Sequence, residues 1–213
     1  MIMPSPEGLR RLLREFGIPD DSESSRKMAA YLALIEKWNA RINLTAGTEW
    51  KAIETLFREA FWISTLYPSE ASGHLDIGSG AGFPAIILRI LIPHIRLEMV
   101  ESRGKKSAFL ETVIHNLDLE GASVHSKRLD EVLRQSEFSR IWDCITWKGV
   151  KLSSSDLLRL RERSHPGTQF WMLHGREAAA EDPAVIESHF KLVRKEQFPQ
   201  KKGWFLSIYT PGM

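Results

Sequence analysis

An α/β fold, with a parallel sheet covered by helices on both faces and a helical segment ahead of it, is predicted by three features of this sequence. Residues 1–65 carry apolar stripes at helical spacing. From residue 74 onward, short apolar runs of strand length alternate with helical patterns. The chain of 213 residues, 43% of them hydrophobic, is long enough to bury roughly 70% of its unfolded surface around a full core. Such a chain is globular, and disorder is excluded as its dominant state.

The helical segment comes first. In residues 6–17, Leu9, Leu12, Leu13 and Phe16 share one stripe, with Arg10, Arg11 and Arg14 off it, and Gly17 and Pro19 end the pattern. A second helix is expected over about 25–38 (Met28, Tyr31, Leu32, Ile35, Trp38) and a third over about 49–66 (Trp50, Ile53, Leu56, Phe57, Ala60, Phe61, Ser64). The polar run 38–47 reads as a connection. A small polar break at 69–73 separates an N-terminal extension, residues 1–70, from a domain over 71–213, the two packed as one unit.

Within 71–213 the pattern repeats. Strands are expected at 74–78, 96–101, 122–126, 142–147 and 168–174, with helices at 83–92, 105–117 and 154–164 and a short helix between the third and fourth strands. Residues 190–198 and 203–209 alternate as a closing hairpin. Repeated strand–helix–strand units imply right-handed crossovers and hence a parallel sheet. The sequence shows no internal repeat.

Composition narrows the function classes. A lone cysteine, Cys144, cannot build a disulfide framework, and the first residues show no apolar secretory run, so a cytoplasmic location is expected. The longest apolar stretch, 85–92, contains Arg89 and is under half a membrane span, so no membrane role is expected. With 29 basic against 27 acidic residues, any basic face must come from local clustering. His115, His125 and His174 fit no zinc-site spacing.

The sharpest local signal runs from His74 to Pro84, where a strand passes into a helix through Gly78, Gly80 and Gly82. Residues without side chains let the backbone approach a ligand closely. A dinucleotide fingerprint needs G-x-G-x-x-G, yet the spacing here is G-x-G-x-G and position 83 is Phe. A nucleoside-type ligand without pyrophosphate is therefore favoured over NAD. Glu101 ends the next strand, where it can accept hydrogen bonds from two ribose hydroxyls; the alternative is that it caps the following helix or pairs with Lys105 or Lys106.

Four segments carry a resemblance: W-N-A-R-I-N-L-T at 38–45, D-I-G-S-G-A-G-F-P at 76–84, E-S-R-G-K-K-S-A-F-L at 101–110 and K-R-L-D-E at 127–131. In order and separation they resemble the bacterial ribosomal RNA small subunit methyltransferase G family, also called glucose-inhibited division protein B. The resemblance implies a class I S-adenosylmethionine-dependent methyltransferase: a seven-stranded, mostly parallel Rossmann-like sheet with one reversed strand near the C-terminus. It also implies methylation of guanine N7 in 16S rRNA, with 16S rRNA or the small ribosomal subunit as partner, no DNA, and a monomeric protein. Carried over by position, Gly78 and Phe83, with Gly80 and Gly82 of the same loop, would contact S-adenosylmethionine, Glu101 its ribose, and Leu129 and Asp130 its adenine region. Lys148 stands near the methyl-transfer site.

This chain also departs from the family pattern. Trp147-Lys148-Gly149 stands where Ser-Arg-Ala is expected, Glu59 to Ile63 where H-x-x-D-S is expected, and His174-Gly175 where Lys-Gly is expected. A lysine keeps the charge of arginine and loses its planar fork. A diverged methyltransferase for another RNA or a small molecule, or a binder of S-adenosylmethionine that transfers nothing, are therefore the alternative readings. Guanine N7 bears a lone pair and no proton, so methyl transfer to it needs positioning and no general base. Phosphate contacts are expected from Arg10, Arg11 and Arg14, from Arg103, Lys105 and Lys106, and from Lys127 and Arg128. Of the seven tryptophans, Trp38, Trp50 and Trp62 read as core, whereas Trp147 is a candidate for stacking on a base.

Overall fold

The computed structural model describes residues 7–135, 142–175 and 186–212. Pro6, where the first helix is expected to begin, lies outside them. Three helices lead, α1 (Glu7–Glu15), α2 (Glu23–Asn39) and α3 (Trp50–Ser64). There follow β1 (Gly73–Ile77), α4 (Ala85–Leu91), β2 (Arg96–Val100), α5 (Gly104–Asn116), β3 (Ala122–His125), α6 (Leu129–Leu133) and β4 (Cys144–Lys148). The chain closes with α7 (Ser154–Glu162), β5 (Gln169–Gly175), β6 (Phe190–Gln197) and β7 (Trp204–Pro211).

The helix ends follow from local chemistry. Gly17 adopts φ +70° just past α1, which stops the helix at little steric cost. Ser22 caps α2 by accepting from Ser25 N–H at 3.1 Å. Ser153 and Asp156 form a reciprocal capping box on α7. The leucine stripe of α1 is fully buried, and each of these side chains contributes roughly 1.5–3 kcal/mol by leaving water.

The seven strands form one sheet in the order β3-β2-β1-β4-β5-β7-β6. Pairs from β3 through β5 are parallel, and β7 runs antiparallel to both of its neighbours, so it is the single reversed strand. The closing hairpin places that strand inside the sheet and leaves β6 at the edge. After β1 the chain builds outward through β2 and β3, then returns to add β4 on the other side. This reversal between β1 and β4 opens a crevice at the strands' C-terminal ends.

Period-two alternation sorts the strand side chains. Leu75, Ile77, Ile145, Trp147 and Phe170 join the core under α6 and α7. Cys144 and Trp171 point the other way, into a core with Ile63 of α3 and Leu88 of α4. The helical extension packs on this second face, where α1, α2 and α3 share a core with α4, α5 and Leu97 and Met99 of β2. Among the described residues no helix is long and apolar enough to cross a membrane.

Candidate active site

A cleft of about 1090 Å³ opens at the switch point. Its walls come from the loop after β1, the end of β2, the start of α6, the end of β4, the helical extension and the turn before β7. Gly78, Gly80, Phe83, Glu101, Leu129, Asp130 and Lys148 all line it, although they are scattered along the sequence from 78 to 148.

The glycines play different parts. Gly78 has φ +70°, and a Cβ there would lie 2.2 Å from Cγ2 of Val150, a stiff branched side chain on the loop after β4. Gly80 has φ +58°, a Cβ there would meet only Gly78 O at an ordinary 3.8 Å, and its N–H donates to Glu101 Oε2 at 2.8 Å. Gly82 does not line the cleft; a Cβ there would meet Ile86 Cγ1 at 2.6 Å and the Tyr31 hydroxyl at 3.0 Å. Its lack of a side chain permits close packing of the loop on α2, α4 and α5. Gly82→Ala combines overpacking with positive φ, roughly 3 kcal/mol together. We expect the melting temperature to fall by roughly 6–12 °C, a scale set by chain length, and calorimetry of the free protein checks it.

The loop's amides are largely engaged within the protein. Gly78 N–H and Ser79 N–H donate to Val100 O, and Gly82 N–H donates to Ser79 O. With Gly80 N–H on Glu101, these four donors form no open nest for a pyrophosphate. The loop is thus a shaped wall, held from beneath by the Tyr31 hydroxyl donating to Ala81 O. Burial, the larger influence, and then the Asp76 charge raise the Tyr31 phenol well above its usual range, so it stays a neutral donor.

Glu101 is 6% exposed. Its Oε1 accepts from Arg103 N–H at 2.9 Å while Oε2 holds Gly80 N–H, so the carboxylate ties the glycine loop to the start of α5. It does organise the turn into α5, as the capping alternative expected, and it does so without pairing with Lys105 or Lys106. A carboxylate has about four lone-pair sites, so acceptor capacity remains toward the cleft.

Asp76 received no role from the sequence, though it stands in the glycine motif. It is 3% exposed, lines the cleft, and accepts from the Thr146 hydroxyl at 2.5 Å through Oδ1. Its Oδ2 is buried with no hydrogen-bond partner among the described residues. Burial, opposed by hydrogen bonding from the Thr146 and Ser79 side chains and by the Lys148 charge, pushes its carboxyl up to about 6. Behind it, burial takes the His74 imidazole down to about 3, so that ring is neutral. Since Thr146 donates to Asp76, its oxygen accepts from His74 Nε2–H at 2.8 Å, which places the ring proton on Nε2. The signal that could have marked Asp76 is an acid in a strand whose every other position is apolar, glycine or a histidine.

Lys148 ends β4 with its ammonium ion-paired to Glu59 of α3, a side chain only 3% exposed. The adjacent Trp147 is 2% exposed and belongs to the core on the opposite face. Stacking of a base on Trp147 is therefore excluded: neighbouring strand residues point to opposite faces, and only Lys148 points to the cleft side. His174 lies away from the cleft, hydrogen-bonded to Ser207 Oγ at 2.9 Å and Gly175 O at 3.1 Å. Trp62 packs on Phe198.

The segment 38–45 also proves to be cleft wall. Asn39 Oδ1 accepts from Leu44 N–H at 2.8 Å and Thr45 N–H at 3.0 Å, and this closes a turn that presents Leu44 and Thr45 to the cleft. Among the basic residues, Arg103, Lys106, Lys127, Arg128, Lys151 and Lys201 ring the cleft. Arg11 and Arg14 lie on α1 outside it, each 3.7 Å from a carboxylate, Glu15 and Asp20 respectively. Asp130 pairs with Arg134 one turn along α6.

The residues fit S-adenosylmethionine. Its ribose diol matches the spare acceptor capacity of Glu101, and the α-ammonium of its zwitterionic tail matches the buried Asp76 Oδ2, which has no hydrogen-bond partner among the described residues. The same fold is seen in the mitomycin 7-O-methyltransferase MmcR, with a TM-score of 0.59 at 15% identity over 94% of this chain and 75% of that one. Ribosomal protein L11 methylase from Lactobacillus delbrueckii subsp. bulgaricus gives a TM-score of 0.58 at 11% identity, over 72% and 77%. Fold and cleft together define a Rossmann-like sheet of the kind these two methyltransferases share, with a cleft at its switch point.

Residues 24–203 match the family model for rRNA small subunit methyltransferase G, GidB, and the chain belongs to that family. Ribosomal RNA small subunit methyltransferase G of Roseiflexus sp. (strain RS-1) is 35% identical over 175 residues, 82% of this chain and 72% of that protein. Its namesake in Streptococcus pneumoniae (strain ATCC BAA-255 / R6) is 31% identical over 151 residues, 68% of this chain and 62% of that protein. The chain thus spans less than two thirds of the second relative's length.

Proposed function

We propose that this chain transfers a methyl group from S-adenosylmethionine to N7 of a guanine in 16S rRNA. The observation that carries the reading is the convergence of Asp76, Glu101 and Lys148 on one cleft rimmed by cations. Glu101 would hold the ribose, Leu129 and Asp130 would flank the adenine, and Gly78, Gly80 and Phe83 would shape the wall against the cofactor. Asp76 would take the α-ammonium of the tail. Bound there, the cofactor supplies a sulfonium methyl: the N7 lone pair forms the C–N bond as the C–S bond breaks, and the positive charge passes to the guanine.

The chain's own contribution is placement. Arg103, Lys106, Lys127, Arg128, Lys151 and Lys201 would neutralise RNA phosphates, so binding is expected to weaken steeply with salt. Lys148 would donate to the base, whose N7 and O6 acceptors lie side by side on one edge. The reading implies a cytoplasmic protein acting as a monomer on 16S rRNA or the small subunit.

The test is methyl transfer into unmethylated small subunits and into free 16S rRNA, with the product nucleoside identified by mass spectrometry. Formation of 7-methylguanosine supports the proposal, and the better acceptor names the substrate form. Lys148→Ala should lower transfer by roughly 10- to 100-fold with cofactor affinity within about twofold, because the residue acts on the base. An unchanged rate would remove it from the site. A second reading, a diverged acceptor, is favoured by the departures at Glu59, Lys148 and His174; methylation of a different RNA in total cellular RNA, with none in 16S rRNA, would select it.

A further inference from the structure

Two of the departures from the family pattern touch each other. Glu59, where histidine is expected, and Lys148, where arginine is expected, form one ion pair across 89 positions of sequence. The pair joins the helical extension to the end of β4 at the cleft. The Glu59 side chain is 3% exposed and that of Lys148 23%, so the carboxylate is sealed behind the ammonium, which alone reaches the cleft. The ammonium also stands 5.7 Å from the centroid of the Trp204 ring, on β7. Lys148 is thus held from two elements; of the exposed rim lysines, Lys201 also lies over the Trp204 ring, at 4.1 Å, but neither it nor Lys151 shares Glu59.

A lone cation at this position has a drawback for transfer to N7. As the methyl leaves sulfur, a full positive charge moves onto the base, and an uncompensated ammonium beside it opposes that arrival. A lysine paired with a buried carboxylate is close to neutral overall, yet keeps two N–H bonds for donation. It can still grip guanine O6, the acceptor next to N7, and leave the N7 lone pair free.

We propose that Glu59 is a positioning residue for methyl transfer: it fixes the Lys148 ammonium at the cleft and offsets its charge, so that Lys148 donates to the guanine edge without opposing the charge that develops on the base. This rests on the reading of transfer to guanine N7.

The experiment compares wild type with Glu59→Gln, Glu59→Asp and the double variant Glu59→Gln with Lys148→Met. For each, kcat and KM are measured on the better rRNA acceptor, along with S-adenosylmethionine affinity, thermal melting, and the rate at which acetic anhydride labels Lys148 relative to Lys151 and Lys201. In Glu59→Gln we expect Lys148 labelling to speed up several-fold and kcat to fall on the order of 10²-fold, the scale of losing one positioned electrostatic group. Cofactor affinity and RNA KM should stay within about threefold. Glu59→Asp should recover part of kcat. The double variant leaves no orphaned charge, so it should melt near wild type and transfer no faster than Glu59→Gln.

Unchanged labelling of Lys148 in Glu59→Gln would overturn the proposal, as would unchanged kcat. So would a kcat loss that merely follows the fraction folded and is not relieved by aspartate. Wild type that shows the labelling contrast but makes no 7-methylguanosine would sink the functional reading and the catalytic part of this proposal together, while leaving Glu59 as the anchor of Lys148.

Discussion

Asp76→Asn is expected to weaken S-adenosylmethionine binding by roughly 30- to 1000-fold, as for truncation of one partner of a buried charge pair at about 2–4 kcal/mol. The free protein should be no less stable at pH 8. Among the described residues Oδ2 of Asp76 is buried at the cleft without a hydrogen-bond partner, and burial outweighs the Thr146 and Ser79 hydrogen bonds and the Lys148 charge, so the ionised carboxylate is under-compensated until a cation arrives. Folding raises its carboxyl from 3.8 to about 6. The stability linked to this raised group is complete below its unfolded value and is lost as pH climbs through about 6, so at pH 8 the charge costs roughly 3 kcal/mol. Asparagine removes that cost, keeps an oxygen for the Thr146 hydroxyl, and leaves amide N–H groups short of partners at about 1–3 kcal/mol. Calorimetric titration and melting at pH 8 check both halves. A variant that binds as wild type does, or one that melts several degrees lower, would show that Asp76 is a structural group. In the wild type, cofactor affinity should also fall as pH drops below about 6, by up to tenfold per pH step of one, and the variant should lack that dependence.

Glu101→Ala should reduce cofactor affinity by at least about 100-fold, because hydrogen bonds to a charged group contribute roughly 1.5–3 kcal/mol each and two ribose hydroxyls lose their acceptor. The same change orphans Gly80 N–H and Arg103 N–H, which the carboxylate now holds at 2.8 and 2.9 Å. The glycine loop should therefore loosen as well, visible as faster amide exchange across 78–83. Glutamine is not a conservative replacement here. Whichever way its amide turns, an N–H₂ group faces a backbone N–H, so Glu101→Gln should bind nearly as poorly as alanine. Affinity within threefold of wild type in either variant would remove Glu101 from the cofactor site.

Much of the fold was legible because side-chain periodicity is a local property. The stripe of Leu9, Leu12 and Leu13 could only be a helix burying one face, and α1 buries that face. The strand expected at 74–78 is shifted by one residue from β1, and that at 96–101 overruns β2 by one. Gly78, Gly80 and Glu101 reached one cleft because parallel strands bring their C-terminal ends together, which follows from the alternation of strand and helix.

What the sequence could not separate were neighbours with equal composition and different directions. Trp147 and Lys148 are adjacent, and alternation says only that they face apart; which face holds the cleft depends on the helices that cover each side. Gly80 and Gly82 look alike in the motif, but a side chain at one would meet only Gly78 O at ordinary contact distance and at the other would press on Ile86 and Tyr31. The clusters at Arg103 and Arg11 have similar charge, and only the first borders the cleft.

The sequence by itself determined the order and type of the elements, the glycine loop, its acidic partner Glu101 and the family, since each is written in spacing along the chain. Only the tertiary structure decided that Asp76 is an unpaired buried acid, that Tyr31 holds the loop, and that Glu59 pairs with Lys148. Those facts depend on desolvation and on contacts between residues 50 to 89 positions apart, which no local pattern encodes: an aspartate is the same letter in water and in a dry crevice.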